Sequence, residues 1–112
     1  MSDEYYDITI IGGGPIGIFA AAYAKMRQAK VQVIESLDQL GGQVSALFPA
    51  KKIYDIPGYP VITGTKLIEN LENQAEQFGP EFFLNEAVSQ IKQKGNYFQL
   101  LTTKRTTLSK SI

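Results

Sequence analysis

Gly12, Gly14 and Gly17 stand at the spacing G-x-G-x-x-G, between the strand-like run Tyr6-Asp7-Ile8-Thr9-Ile10-Ile11 and an apolar helical stretch. Glycines so placed can hold the diphosphate of a dinucleotide. The first permits a tight turn, the second admits the phosphate to the backbone, and the third lets helix and strand pack closely. Unpaired amides and the dipole of the helix start then face the negative charge. Pro15 suits that first turn, where a missing N–H costs little. A second strand, Val31-Gln32-Val33-Ile34, closes on Glu35, 18 residues after Gly17. A carboxylate there can accept from both ribose hydroxyls, a contact worth about 1.5–3 kcal/mol. The same charge repels a 2′-phosphate, so NADP suits this site poorly. FAD or NAD is left, and the βαβ unit alone does not choose between them.

The elements that must position these residues are legible on either side. Ile8, Ile10 and Ile11 pattern as a buried parallel strand, and Ile16, Phe19, Ala20, Tyr23 and Ala24 recur at helical spacing. Residues 36–64 form a connection rich in glycine and proline, too long for an idle loop and expected to line a site. A second helix is expected over 65–79, with Thr65 as N-cap, an apolar stripe of Leu67, Ile68, Leu71, Ala75 and Phe78, and Gly79-Pro80 as its stop. Residues 81–112 read as short strands in a β-meander, turning at Gly95-Asn96 and at Lys104-Arg105. An ordinary NAD domain would continue with βα units here. A meander at this point is more typical of FAD domains of the disulfide-reductase kind, which favours FAD. The fold class expected is α/β: a Rossmann-like FAD-binding domain with a parallel sheet, helices and a small antiparallel β-meander, filling residues 1–112. The pattern halts in mid-strand at Ile112, so the domain is expected to be truncated. An unpaired parallel strand edge should then favour a dimer or larger species.

Composition narrows the chemistry. The 112 residues carry 11 basic and 11 acidic side chains, for zero formal net charge, so no nucleic-acid or membrane partner is announced. No apolar run approaches a membrane span, and the acidic start Met1-Ser2-Asp3-Glu4 is unlike a signal peptide, which favours the cytoplasm. The chain has neither cysteine nor histidine. Thiolate nucleophiles, redox dithiols, Cys/His zinc sites and imidazole acid–base catalysis are therefore excluded from it. Hard chemistry must come from a bound cofactor.

The run from Gly12 to Pro60 resembles the N-terminus of the thioredoxin-reductase-like ferredoxin (flavodoxin)–NADP⁺ reductases of Firmicutes and related bacteria. The residues that carry the likeness are Glu35-Ser36-Leu37, Leu40-Gly41-Gly42-Gln43, Ser45-Ala46-Leu47-Phe48-Pro49 and Ile53-Tyr54-Asp55-Ile56-Pro57-Gly58-Tyr59-Pro60. True bacterial thioredoxin reductases share the Gly41-Gly42-Gln43 and Pro57-Gly58 elements but usually lack the Ser45–Pro49 block. The resemblance implies the first part of an FAD domain, which in the family is interrupted by an NADP domain, in a homodimeric enzyme. Hydride would pass from NADPH to the flavin, and electrons would leave singly to ferredoxin or flavodoxin. A fragment without the nicotinamide site should not turn over.

Position by position, the resemblance assigns Gly12, Gly14 and Gly17 to the diphosphate turn, with the Pro15 and Ile16 backbone adjacent, and Glu35 to the ribose, with Ser36 and Gly42 beside these contacts. It assigns Gln43 to a hydrogen bond on the flavin side, Phe48 to the isoalloxazine face, and the Val88 backbone to the adenine edge. Ring stacking at Phe48 would be worth about 0.5–1.5 kcal/mol beyond burial. Lys51, Lys52 and Asp55 are read as solvent-facing. Three other readings stand beside this one: a thioredoxin reductase fragment, a non-catalytic dinucleotide-binding module, and a small NAD-dependent dehydrogenase.

Overall fold

The computed structural model describes residues 4–112; the Met1-Ser2-Asp3 part of the acidic start lies outside the described residues. The chain begins with strand β1 (Glu4–Ile11), helix α1 (Pro15–Met26) and strand β2 (Val31–Ile34). Helix α2 (Gly42–Leu47), the paired strands β3 (Lys52–Ile53) and β4 (Ile62–Thr63), and helix α3 (Gly64–Glu76) follow. The remainder is β5 (Glu81–Phe83), β6 (Val88–Lys94), β7 (Tyr97–Thr102) and β8 (Thr106–Ser111). One sheet runs β5-β2-β1-β8-β7-β6 and a separate pair joins β3 to β4. The pairs β5/β2, β2/β1 and β1/β8 are parallel, whereas β8/β7 and β7/β6 are antiparallel. The βαβ unit therefore lies inside a mixed sheet.

Alternation along β1 and β2 sorts the two faces. Ile8, Ile10, Val31 and Val33 pack against Ala21 and Ala24 of α1. Ile18 and Ala22 of the same helix meet Ile68 and Ala75 of α3, with Leu40, Val44, Leu71, Phe78 and Phe82 around them. Fully burying a side chain such as Ile18 contributes about 1.5–3 kcal/mol. Thr9 and Gln32 point to the opposite face and are also fully buried.

The packed face of α1 is not the stripe the spacing suggested. Ile18, Ala21 and Ala22 are buried, while Ile16, Phe19 and Tyr23 are exposed. A helix apolar on nearly every side gives periodicity nothing to choose by. Close approach to the sheet then selects the face with alanines.

The stretch 36–64 is less irregular than its composition suggests. Gly41 donates its amide to the Gly13 carbonyl at 2.8 Å, which seats the start of α2 against the glycine turn. Thr63, not Thr65, caps α3: its Oγ1 accepts from the Lys66 amide at 3.3 Å. Thr65 is occupied elsewhere, its hydroxyl donating to the Pro49 carbonyl at 2.8 Å. The helix ends at Glu76, and the chain turns away at Gly79, whose φ is +70°.

Residues 81–83, read from sequence as part of the meander, pair in parallel with β2 instead, Val33 opposite Phe82. Three residues are too few for alternation to reveal a partner. The expected open parallel edge is also narrower than anticipated. β8 lies between β1 and β7, and its register with β1 reaches from Glu4 to Ile8. Only Thr9–Ile11 of β1 extend beyond it.

Candidate nucleotide-binding site

The C-terminal end of β1, the start of α1 and the end of β2 converge on the glycine turn. Gly12 has φ +107°, a backbone region that side chains disfavour, and its amide donates to the Ile34 carbonyl at 2.9 Å. Gly14 is the N-cap of α1 in extended conformation, with Pro15 opening the first turn. A Cβ on Gly14 would meet no protein atom within 4 Å. A Cβ on Gly17 would lie 2.1 Å from the Gly12 carbonyl oxygen. The two glycines thus do different work: Gly17 closes the helix onto the turn, and Gly14 leaves the space in front of the helix open. First-turn amides have no acceptor within their own helix, so this open space faces donors and the positive end of the dipole. It suits a diphosphate.

Glu35 is buried, with 6% of its surface exposed. Its Oε1 accepts from the Gly13 amide at 2.7 Å, and its Oε2 accepts from the Leu37 amide at 2.8 Å and the Ser36 hydroxyl at 3.4 Å. A carboxylate offers about four lone-pair positions. With three in use, one is left for a ribose hydroxyl unless Ser36 rotates away, which is narrower than the two contacts expected from the sequence. The acid therefore also shapes the turn that it adjoins.

Gly12, Glu35, Ser36, Glu86, Ala87 and Val88 line a cleft of about 220 Å³ beside this turn. Larger hollows of about 510 and 740 Å³ lie elsewhere, one near Pro80 and Phe82, the other between Phe19 and Gln74. Neither reaches the glycine turn, so size does not mark the site here. Gly42 abuts the turn, since a Cβ on it would lie 3.3 Å from the Gly14 Cα. Ile16 stands at the helix start, 86% exposed. Gln43 and Phe48 are exposed on α2 and its C-cap, outside the cleft, and the Lys51 ammonium lies 5.0 Å from the Phe48 ring centroid. The turn, the acid and Val88 come together; the two residues assigned to the flavin half do not line this cleft.

Sequence reasoning missed Gln32, Glu86 and Arg105. Arg105 Nε donates to Glu86 Oε2 at 2.8 Å and Arg105 Nη2 to Gln32 Oε1 at 2.7 Å. Gln32 Nε2 donates to the hydroxyls of Thr9 and Thr107 at 2.9 and 3.1 Å. The available signal was an amide in the otherwise apolar strand Val31–Ile34, because a buried amide requires partners. Among the described residues no buried side-chain nitrogen or oxygen lacks one. No helix among them is long and apolar enough to cross a membrane, and no cluster of acidic side chains could hold a metal ion.

Known proteins share this sequence and this fold. A ferredoxin–NADP reductase from Ligilactobacillus salivarius is 56% identical over 98% of this chain, and ferredoxin–NADP reductase 2 from Listeria monocytogenes is 55% identical over 97%. The chain spans about a third of their length, 33% in each case. Among solved structures, thioredoxin reductase from Streptococcus pyogenes superposes with a TM-score of 0.84 at 33% identity, covering 97% of this chain and 34% of that one. A ferredoxin–flavin thioredoxin reductase from Clostridium acetobutylicum gives 0.81 at 31%, covering 97% and 36%. A family model described as an NAD(P)-binding Rossmann-like domain matches residues 10–78, from within β1 to just past α3. The chain belongs to the NAD(P)-binding Rossmann-like domain family.

Proposed function

We propose that this chain is the FAD-binding portion of a flavoprotein ferredoxin/flavodoxin–NADP⁺ reductase. The observation that carries the proposal is the open space at Gly14 in front of α1, with Glu35 hydrogen-bonded to the neighbouring Gly13 amide at 2.7 Å. The likeness to ferredoxin–NADP reductases at 55–56% identity supports the choice of acceptor. Gly12, Gly14 and the amides of Ile16 and Gly17 would hold the diphosphate. Glu35 and Ser36 would hold the adenosine ribose, and Val88 would border the adenine. Gly42, Gln43 and Phe48 would serve the flavin half. When bound, FAD would convert a two-electron hydride donor into a source of single electrons. This chain's own share is to bind the adenosine diphosphate half, to orient it and to exclude water from it. On the same reading the whole protein is a cytoplasmic homodimer that takes NADPH and passes electrons to ferredoxin or flavodoxin.

Cofactor content tests the reading. The purified chain, supplied with FAD and desalted, is expected to retain absorbance near roughly 375 and 450 nm, the general flavin bands. A colourless protein that still binds ADP would instead be a nucleotide module without a flavin site. A thioredoxin reductase is the second reading, favoured by the TM-score of 0.84 to the Streptococcus pyogenes enzyme. Rapid reduction of thioredoxin rather than ferredoxin by the whole protein would establish it.

A further inference from the structure

The polar network on the face of the sheet away from α1 ends at the nucleotide cleft. Thr102 shapes the turn before β8: its Oγ1 accepts from the amides of Lys104 and Arg105 at 3.1 and 3.0 Å, and its own amide donates to the Arg105 carbonyl at 2.9 Å. That turn presents the Arg105 guanidinium, which lies 3.8 Å above the centroid of the Phe83 ring. From this position it reaches Glu86 with one nitrogen and Gln32 with another, at 2.8 and 2.7 Å. The Glu86 side chain is only 3% exposed, against 22% for Arg105. Glu86 is also tied to the site through its backbone, its amide donating to the Glu35 carbonyl at 3.0 Å. Ala87 is held from the other side, its carbonyl accepting from the Thr103 amide at 2.9 Å.

We propose that Arg105 is a positioning residue for the adenosine cleft, holding Glu86 neutralised and turned inward so that Glu86, Ala87 and Val88 keep their place as one wall of it. The inference rests on the dinucleotide reading above and adds a residue that touches no ligand itself. Its physical basis is the cost of a buried carboxylate without a cation. Deprived of Arg105, Glu86 gains by moving toward water, and the opening it lines is the cleft itself. The move carries the wall with it and sets a second negative charge beside Glu35, facing a negatively charged ligand. Arg is suited to the task because its planar fork meets two acceptors at once.

Calorimetric titration of the chain and its variants with ADP, at a temperature where each is folded, tests this. Arg105→Met is expected to weaken ADP binding about tenfold, within the range for coupled neighbours. Glu86→Gln alone should weaken ADP binding less than Arg105→Met does, by about threefold, because the amide needs no cation. The double variant Arg105→Met/Glu86→Gln should recover most of the lost affinity while remaining less stable to heat than the parent. A merely structural role predicts no such rescue. Should Arg105→Met not fold, Arg105→Lys carries the test: it keeps the charge, loses the two-pronged reach and should weaken ADP about threefold. Parent-like affinity in the Arg105 variants, or a double variant as weak as Arg105→Met, overturns the inference alone. Failure of the unaltered chain to bind ADP overturns the dinucleotide reading, and the inference with it.

Discussion

At the scale of single residues, structural work and a proposed ligand contact separate by substitution. Glu35 accepts from Gly13 and Leu37 at 2.7 and 2.8 Å, so Glu35→Gln turns an amide NH₂ toward one of those donors. Both folding stability and FAD affinity should fall, each by about 1–2 kcal/mol, in urea titration and fluorescence quenching respectively. Unchanged affinity would mean that the acid does not meet the ribose. Gly17→Ala should damage the fold itself, since its Cβ would lie 2.1 Å from a backbone oxygen. A loss of about 1–3 kcal/mol is expected, the usual range for overpacking, despite alanine's better helix propensity. Asp7 supplies the pH dependence. The Lys30 backbone amide, 2.7 Å away, holds its carboxyl below the usual range, and the Lys110 ammonium at 3.6 Å adds to the effect. A depressed carboxyl pKa stabilises the fold above the unfolded-chain value and ceases to do so as pH falls through the folded one. The stability difference between parent and Asp7→Asn should accordingly be constant near neutrality and shrink below pH ~3.9 in denaturant titrations.

At the scale of elements, local chemistry was legible where it was repeated and obscure where distant contacts decide. The strand–glycine–helix–strand order of residues 6–35 could be read because turn, cap and period all agree there. Gly95-Asn96 announced the β6–β7 hairpin for the same reason. Helix α2 was not legible, because six residues beginning with glycine carry no period and are held by the Gly41–Gly13 bond. The α3 cap was misplaced by two residues because threonine stands at both Thr63 and Thr65, and only the Pro49 carbonyl distinguishes them. Thr63→Ala should cost about 1 kcal/mol in urea unfolding, the usual value of a lost N-cap. β5 was grouped with the meander although it pairs with β2, since its short length hides which strand it follows. Of the candidate site, the glycine turn and the acid beside it could be read from spacing. The Arg105–Glu86–Gln32 network could not, because its members lie up to 73 residues apart in the chain.

At the scale of the molecule, the sheet runs out from the βαβ unit into an exposed hairpin, giving extents of 47 × 28 × 20 Å. β6 buries almost nothing, whereas β7 buries Leu100 completely and β8 buries Thr107 and Ser109. The candidate site lies where the ends of β1 and β2 and the glycine turn meet the start of β6 at Val88. Substituting Gly14 would remove the proposed nucleotide binding while keeping the fold: its φ is −75°, which any residue adopts, and a Cβ on it meets no protein atom within 4 Å. Parallel calorimetry of the parent and Gly14→Val with FAD and with ADP therefore addresses the central claim most directly. The account predicts that the variant melts within a few degrees of the parent yet binds neither ligand detectably. Full binding by a folded Gly14→Val would contradict it, because the nucleotide would then rest somewhere other than against the start of α1.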